Sequence, residues 1–150
     1  MKGKLTGGCM CGAVRYQLAP GFRLNPYACH CTDCQSRTGS AFSEHMLFSL
    51  EDITIEGETD CGHYTMPSGV EASVVGCAKC KSRIYAENPS RPGMGSLRCG
   101  TLDKSTEVEL AAHIWVKSKQ AWFTLPEDAK TMDEAPNSAQ EWVELLGIVE

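Results

Sequence analysis

With 150 residues, 42% of them hydrophobic and 22% charged, the chain has the length of one ordinary domain and the composition of a globular protein, which excludes a fibrous repeat or a disordered acidic tail. Nineteen acidic residues against fourteen basic ones give a net charge of -5 and a pI near 5.4. That is the wrong sign for a protein held on phosphate, so no nucleic acid is expected as a partner. No apolar run is long enough to span a bilayer, and Met1 to Gly12 lacks the apolar stretch of a secretory signal, so a cytoplasmic chain with no membrane partner is expected.

From Ala13 to Leu18 the apolar Val14, Tyr16 and Leu18 alternate with Arg15 and Gln17, which is the period of a half-buried strand. A short helix is expected over Thr32 to Thr38, ended by Gly39 in a left-handed cap and holding Cys34 in its first turn. Further strands are predicted at 41–48, 53–56, 70–75, 83–86, 96–97 and 108–116, separated by Gly, Pro, Asn or Asp turns. Many short strands imply a mainly β, antiparallel fold. Near the C-terminus Trp142, Leu145, Leu146 and Val149 recur at helical spacing, and Ser138 with Glu141 forms a capping box. The helix is placed from Ala139 to about Gly147, covering the sheet. Pro and Gly are scattered rather than pooled into a linker, so a single domain over residues 1–150 is expected.

Cysteine is the outlier: nine residues, an odd number, at short spacings. In a reducing compartment this pattern points to metal rather than to disulfides. Cys9-Met10-Cys11-Gly12 and Cys77-Ala78-Lys79-Cys80 are two tight pairs that together supply four sulfurs, the donor set of a closed structural zinc. Tying Cys11 to Cys77 across 66 positions would also remove unfolded-chain entropy. Cys29-His30-Cys31-Thr32-Asp33-Cys34 is denser and can bring three sulfurs to a second ion using local chain alone. If the fourth position takes water or substrate the site is catalytic, and if Cys61, Cys99 or His30 fills it the site is closed. The spacing leaves both open. Two divalent ions on seven thiolates would take the net charge from -5 to about -8. Arg37, one helical turn after Cys34, is a candidate to hold a substrate carboxylate. A zinc already carrying three thiolates activates water only modestly but binds an incoming thiol as thiolate, which suits thiol addition to a small carbonyl.

These residues resemble the family of glutathione-dependent formaldehyde-activating enzymes, related also to centromere protein V. The motifs come in that family's order: C-x-C-G at Cys9 to Gly12, C-H-C-x-x-C at Cys29 to Cys34, and C-x-x-C at Cys77 to Cys80. G-T-L-D at Gly100 to Asp103 and H-I-x-x-x-S-K-x-x-W from His113 to Trp122 follow. The resemblance is strongest over about 4–125 and leaves 126–150 as a C-terminal extension. It implies a β-tent of antiparallel sheets, with a structural zinc on Cys9, Cys11, Cys77 and Cys80 and a reactive zinc on Cys29, Cys31 and Cys34. It also implies the joining of formaldehyde to glutathione as S-hydroxymethylglutathione, formally a carbon-sulfur lyase reaction. The chain departs from the family pattern at Lys81, where Gly usually follows the C-x-x-C, and at Gly76, where an aromatic is usual.

Two rival readings stand beside this one. Arg98-Cys99 resembles the catalytic neighbourhood of B-type methionine sulfoxide reductases, with Cys99 attacking and Cys61 resolving. Alternatively both zincs are structural and the domain is a non-catalytic binding module. Cys61 and Cys99 are expected to be small buried hydrophobes. His45, His63 and His113 are expected to be hydrogen-bonded structural histidines, and His30 to point away from the metal. Trp115, Trp122 and Trp142 are expected to pack the sheet and the C-terminal helix.

Overall fold

The computed structural model describes residues 1–66 and 68–150 and is mainly β, with eleven strands in two sheets and two α-helices among those residues. The smaller sheet is antiparallel and runs β1 (Leu5–Gly8), β2 (Arg15–Leu18) and β5 (Ile53–Glu56). The alternation expected for β2 is present: Tyr16 and Leu18 are buried, while Arg15 and Gln17 are exposed.

The larger sheet has eight strands in the order β11-β10-β3-β4-β9-β8-β7-β6. Its members are β3 (Tyr27–Cys29), β4 (Ser43–Ser49), β6 (Thr59–Thr65), β7 (Glu71–Cys77), β8 (Arg83–Glu87), β9 (Met94–Arg98), β10 (Ala112–Ile114) and β11 (Lys130–Thr131). Six neighbours from β3 to β6 pair antiparallel, but β10 runs parallel to both β3 and β11, a departure from the all-antiparallel expectation. The strand expected over 108–116 is only three residues long. Trp115 takes a left-handed backbone, φ 56°, which ends it.

Strand β4 is buried on both faces and divides two cores. On one side Met46 and Phe48 join Tyr16 and Leu18 of the small sheet and Ile84 and Leu97 of the large one. On the other, Leu47, Tyr27 and Ile114 pack under helix α2 (Ala139–Leu146) through Trp142 and Leu146, together with Cys29 and Cys34. Ser138 caps α2 by accepting from the Glu141 N–H at 3.1 Å, and Glu141 reaches back to the Asn137 N–H at 2.6 Å. Val149 falls beyond the helix and donates its N–H to the Arg23 carbonyl. Helix α1 spans Thr32–Thr38, with Gly39 at φ 66° closing it as a left-handed cap.

The G-T-L-D segment joins the two sheets. Asp103 accepts both Arg15 guanidinium nitrogens, at 2.9 and 2.5 Å, and the Thr6 hydroxyl at 2.7 Å. Arg15 in turn holds the Asp103 carboxyl down to about 2. Leu102 is buried in the core between the sheets, and Thr101 hydrogen-bonds the Tyr16 hydroxyl at 2.8 Å. No helix among the described residues is long and apolar enough to cross a membrane.

Candidate metal centres and the cavity beside them

Cys9 and Cys11 lie on the turn between β1 and β2, Cys77 ends β7, and Cys80 lies on the turn from β7 to β8. Folding brings all four sulfurs within 4.8 Å of one another, with Cys9 3.6 Å from Cys11 and Cys11 3.8 Å from Cys77. Backbone N–H groups aim at the sulfurs: Val14 on Cys9 at 3.2 Å, and Lys79 and Cys80 on Cys77 at 3.3 and 3.4 Å. Such turns need left-handed residues. Gly12 provides one at φ 80°, and Lys81 provides the other at φ 65°, where the related family usually has Gly. Lys81 pairs with Asp60 at the surface. Hydrogen bonds from Ser82 hold the Cys80 thiol down to about 5. The hydrogen bond from Ala13 lowers the Cys11 thiol, but partial desolvation and the adjacent sulfurs of Cys9, Cys80 and Cys77 together outweigh it and take it up to about 11. Four thiols this close do not ionise together without a cation, and a soft divalent ion is the cation that a sulfur set selects.

The second group is smaller. Cys29 ends β3, Cys31 is the N-cap of α1, and Cys34 sits in the first helical turn, its N–H donating to the Cys31 sulfur at 3.3 Å. The three sulfurs lie within 4.8 Å of one another, and no fourth His, Cys, Asp or Glu among the described residues joins them. Hydrogen bonds from Cys29 and then Cys34 favour the Cys31 thiolate and hold it down to about 2. The same contacts push Cys29 up, and Cys34 rises to about 11. This group too fits a cation that would neutralise it.

A cavity of about 160 Å³ opens beside these three cysteines, walled by Arg37, Tyr64, Arg98, Trp115 and Trp142 among others. His45 on β4 connects two of its walls. Arg98 Nη1 lies 2.6 Å from His45 Nδ1 and 3.5 Å from its Nε2, so the guanidinium sits against the imidazole ring. His45 Nε2 lies 3.9 Å from the Cys34 sulfur. Ser96 Oγ lies 2.7 Å from the same Nδ1, and the Tyr27 ring stacks on the imidazole at 5.2 Å. Burial, with the charge of Arg98 next, holds His45 well below its ordinary pKa and keeps it neutral. The result is a line of contacts, Arg98 to His45 to Cys34, that the sequence reading of His45 as a structural histidine did not reveal. Its partners are 53 and 11 positions away along the chain.

Arg37 reaches the cavity as expected, with its guanidinium 3.6 Å above the Tyr64 ring centre. His30 lies outside the sulfur group, its Nε2 2.9 Å from His113 Nδ1 and its ring among Phe42 and Phe123. The H-I-x-x-x-S-K-x-x-W segment braces the same loop, since the Ser118 hydroxyl donates to the His30 carbonyl at 3.1 Å. Cys99 is fully buried, and burial pushes its thiol up to about 12, which counts against attack on a sulfoxide. Two expectations are corrected. Cys61 is exposed rather than buried, because β6 is an edge strand open on both faces. Trp122 is 70% exposed, because its indole meets only the edge of Phe123 and donates to the nearby Gln120 side chain at 2.6 Å. His63, on the same edge strand, pairs with Glu71 at the surface.

Two sheets, a pair of cysteine knuckles able to hold metal and a second cysteine group facing a cavity define a mainly β protein with two candidate metal sites. Its family follows from comparison: the model for glutathione-dependent formaldehyde-activating enzymes matches residues 4–118, and the chain belongs to that family. A crystal structure of a Rhodobacter sphaeroides protein is similar in fold, with a TM-score of 0.51 at 20% identity, covering 67% of this chain and 89% of that one.

Proposed function

We propose that the protein is a zinc-dependent enzyme of carbon-sulfur lyase type that joins a small aldehyde to a thiol. Formaldehyde and glutathione, giving S-hydroxymethylglutathione, are the substrates the family's description suggests. The observation that carries the proposal is the three-cysteine group: three converging sulfurs, no fourth protein donor among the described residues, and a cavity on the open side. Cys9, Cys11, Cys77 and Cys80 would hold a structural zinc, and Cys29, Cys31 and Cys34 a reactive one. When bound there, zinc keeps an added thiol in its nucleophilic form near neutral pH.

The chain's own residues then do three things. The charge of Arg98, across the His45 ring from Cys34, stabilises negative charge on that sulfur, and His45 holds the two apart. Trp115 and Trp142 wall the cavity with apolar surface that limits water, and Arg37 orients the substrate. In the reaction a carbon-sulfur bond forms between the thiol sulfur and the carbonyl carbon. The carbonyl π bond opens onto oxygen, which takes up the proton the thiol gave up, so no oxidant or reductant is needed.

The test is native mass spectrometry of the zinc-supplemented chain with and without glutathione, followed by loss of formaldehyde monitored by NMR. Two zincs per chain with glutathione retained, and no retention in Cys31→Ser, support the proposal. Two zincs with no thiol uptake and no adduct refute it and favour a closed site in a binding module.

A further inference from the structure

Strand β6 carries a second cluster of reactive side chains, on the face of the large sheet turned away from the three-cysteine cavity. Successive residues of a strand point to opposite faces, so Tyr64, which lines that cavity, leaves Cys61 and His63 on the other side. Cys61 Sγ lies 3.9 Å from His63 Nε2, and His63 Nδ1 lies 3.5 Å from a carboxylate oxygen of Glu71. Register explains the second contact: β7 sets Ser73 opposite His63 and Glu71 opposite Thr65, which makes Glu71 the diagonal neighbour of His63. A thiol, an imidazole and a carboxylate in that order are a nucleophile, a base and a group that orients the base. Cys61 belongs to neither metal-holding cysteine group.

The surroundings favour one kind of partner. Strand β6 is the outermost strand of its sheet, and Cys61 and His63 are both exposed, so a molecule can approach the sulfur along the line that thiol exchange requires. Beside His63 an open groove of about 360 Å³ runs between the outer strands and residues 88–94, walled by Glu71, Ser73 and Glu87. Arg91 also lines it, but its guanidinium lies over the Trp142 ring, 5.5 Å away, and Trp142 faces the other cavity. Two carboxylates therefore set the sign of the groove. A disulfide carrying amino groups suits that sign, and one carrying carboxylates does not.

We propose that Cys61 is a second reactive thiol, which exchanges with small disulfides bearing amino groups, with His63 as its base and Glu71 orienting the imidazole. His63 Nε2 takes the thiol proton as the Cys61 sulfur attacks one sulfur of the disulfide. A bond forms between Cys61 and that sulfur while the disulfide's own S–S bond breaks. The other half leaves with the bonding pair as a thiolate and takes the proton back from His63. Cys61 is oxidised to a mixed disulfide and the departing half is reduced to a thiol, so the small disulfide is itself the oxidant. This centre stands apart from the cysteine groups that would hold zinc, and it works whether or not Cys29, Cys31 and Cys34 act on an aldehyde.

The zinc-loaded full chain is treated at neutral pH with cystamine, a dication, and with bis(2-hydroxyethyl) disulfide, which is neutral, and the site and rate of adduct formation are followed by peptide mass mapping. The first adduct should form on Cys61, and Cys61→Ser should lose it with the zinc count unchanged. His63→Gln should slow the Cys61 reaction about tenfold with either disulfide. His63 is exposed, so that replacement leaves the packing intact, and circular dichroism verifies it. Glu87→Gln keeps the Cys61–His63–Glu71 contacts but removes a charge from the groove, and should lower the ratio of cystamine rate to neutral-disulfide rate about threefold. A Cys61 rate within about twofold of the parent in His63→Gln overturns the proposal, as does a first adduct on another cysteine. A rate ratio unmoved by Glu87→Gln overturns the assignment to amino-bearing disulfides.

Discussion

Replacing one sulfur in each cysteine group should have unequal consequences for stability. The four-cysteine group ties Cys11 to Cys77, 66 positions apart, so an ion held there closes a long loop. Loop-closure entropy, three halves of RT times the logarithm of loop length, comes to ~4 kcal/mol for that span. The three-cysteine group closes only the segment from Cys29 to Cys34, for which the same expression gives ~1.5 kcal/mol. A domain's whole stability is about 5–15 kcal/mol, so the first loss is a large share of it and the second is not. Cys80→Ser and Cys31→Ser are therefore compared by urea denaturation of zinc-loaded protein, with metal counted by mass spectrometry. Cys80→Ser should lose one zinc and most of its folded baseline, whereas Cys31→Ser should lose one zinc and keep a cooperative transition. Equal destabilisation, or a Cys80→Ser chain as stable as the parent, would refute the reasoning that the distant pairs staple the fold.

Three further outcomes follow from particular contacts. His45→Leu removes the imidazole that Arg98, Ser96 and Cys34 all contact, and leaving these groups without that partner should cost ~3 kcal/mol in denaturant midpoints and weaken zinc retention in a chelator competition. Burial first, then the charges of His113 and Lys119, depress His30 to about 4, so between pH 6.5 and 4 the unfolded chain takes up a proton that the folded chain refuses. Stability is therefore fully present above pH 6.5 and falls as pH drops, by ~3 kcal/mol at pH 4, and His30→Gln should flatten that part of the slope; an unchanged slope would sink the assignment. At Lys81, φ 65°, Gly should be more stable than Ala by ~1 kcal/mol, since both lose the pairing with Asp60 and only Ala meets the left-handed backbone with a Cβ.

What the sequence alone determined is local. Alternation in β2, the Gly39 cap on α1 and the Ser138 and Glu141 cap on α2 are interactions within a few residues, and each can be seen in a short window. Tight cysteine spacings carry the same kind of information, because two or three sulfurs on one turn need no help from the rest of the chain to converge. Strands without a one-sided pattern were not legible. Edge strand β6 is open on both faces, β3 is buried on both faces, and β1 is short and glycine-rich. Only the tertiary structure decided what surrounds the three-cysteine group. Register between β4 and β9 sets His45 opposite Arg98, and the packing of α2 brings Trp142 over Tyr27. These contacts join residues tens of positions apart, and their free energy comes from burying groups against partners that no local window contains. The charge left unanswered on Arg98 is of that kind. In the sequence it is an arginine beside a cysteine, and it becomes a feature of the site only when the folded sheet sets it against His45, buries its Nε and supplies no carboxylate in return.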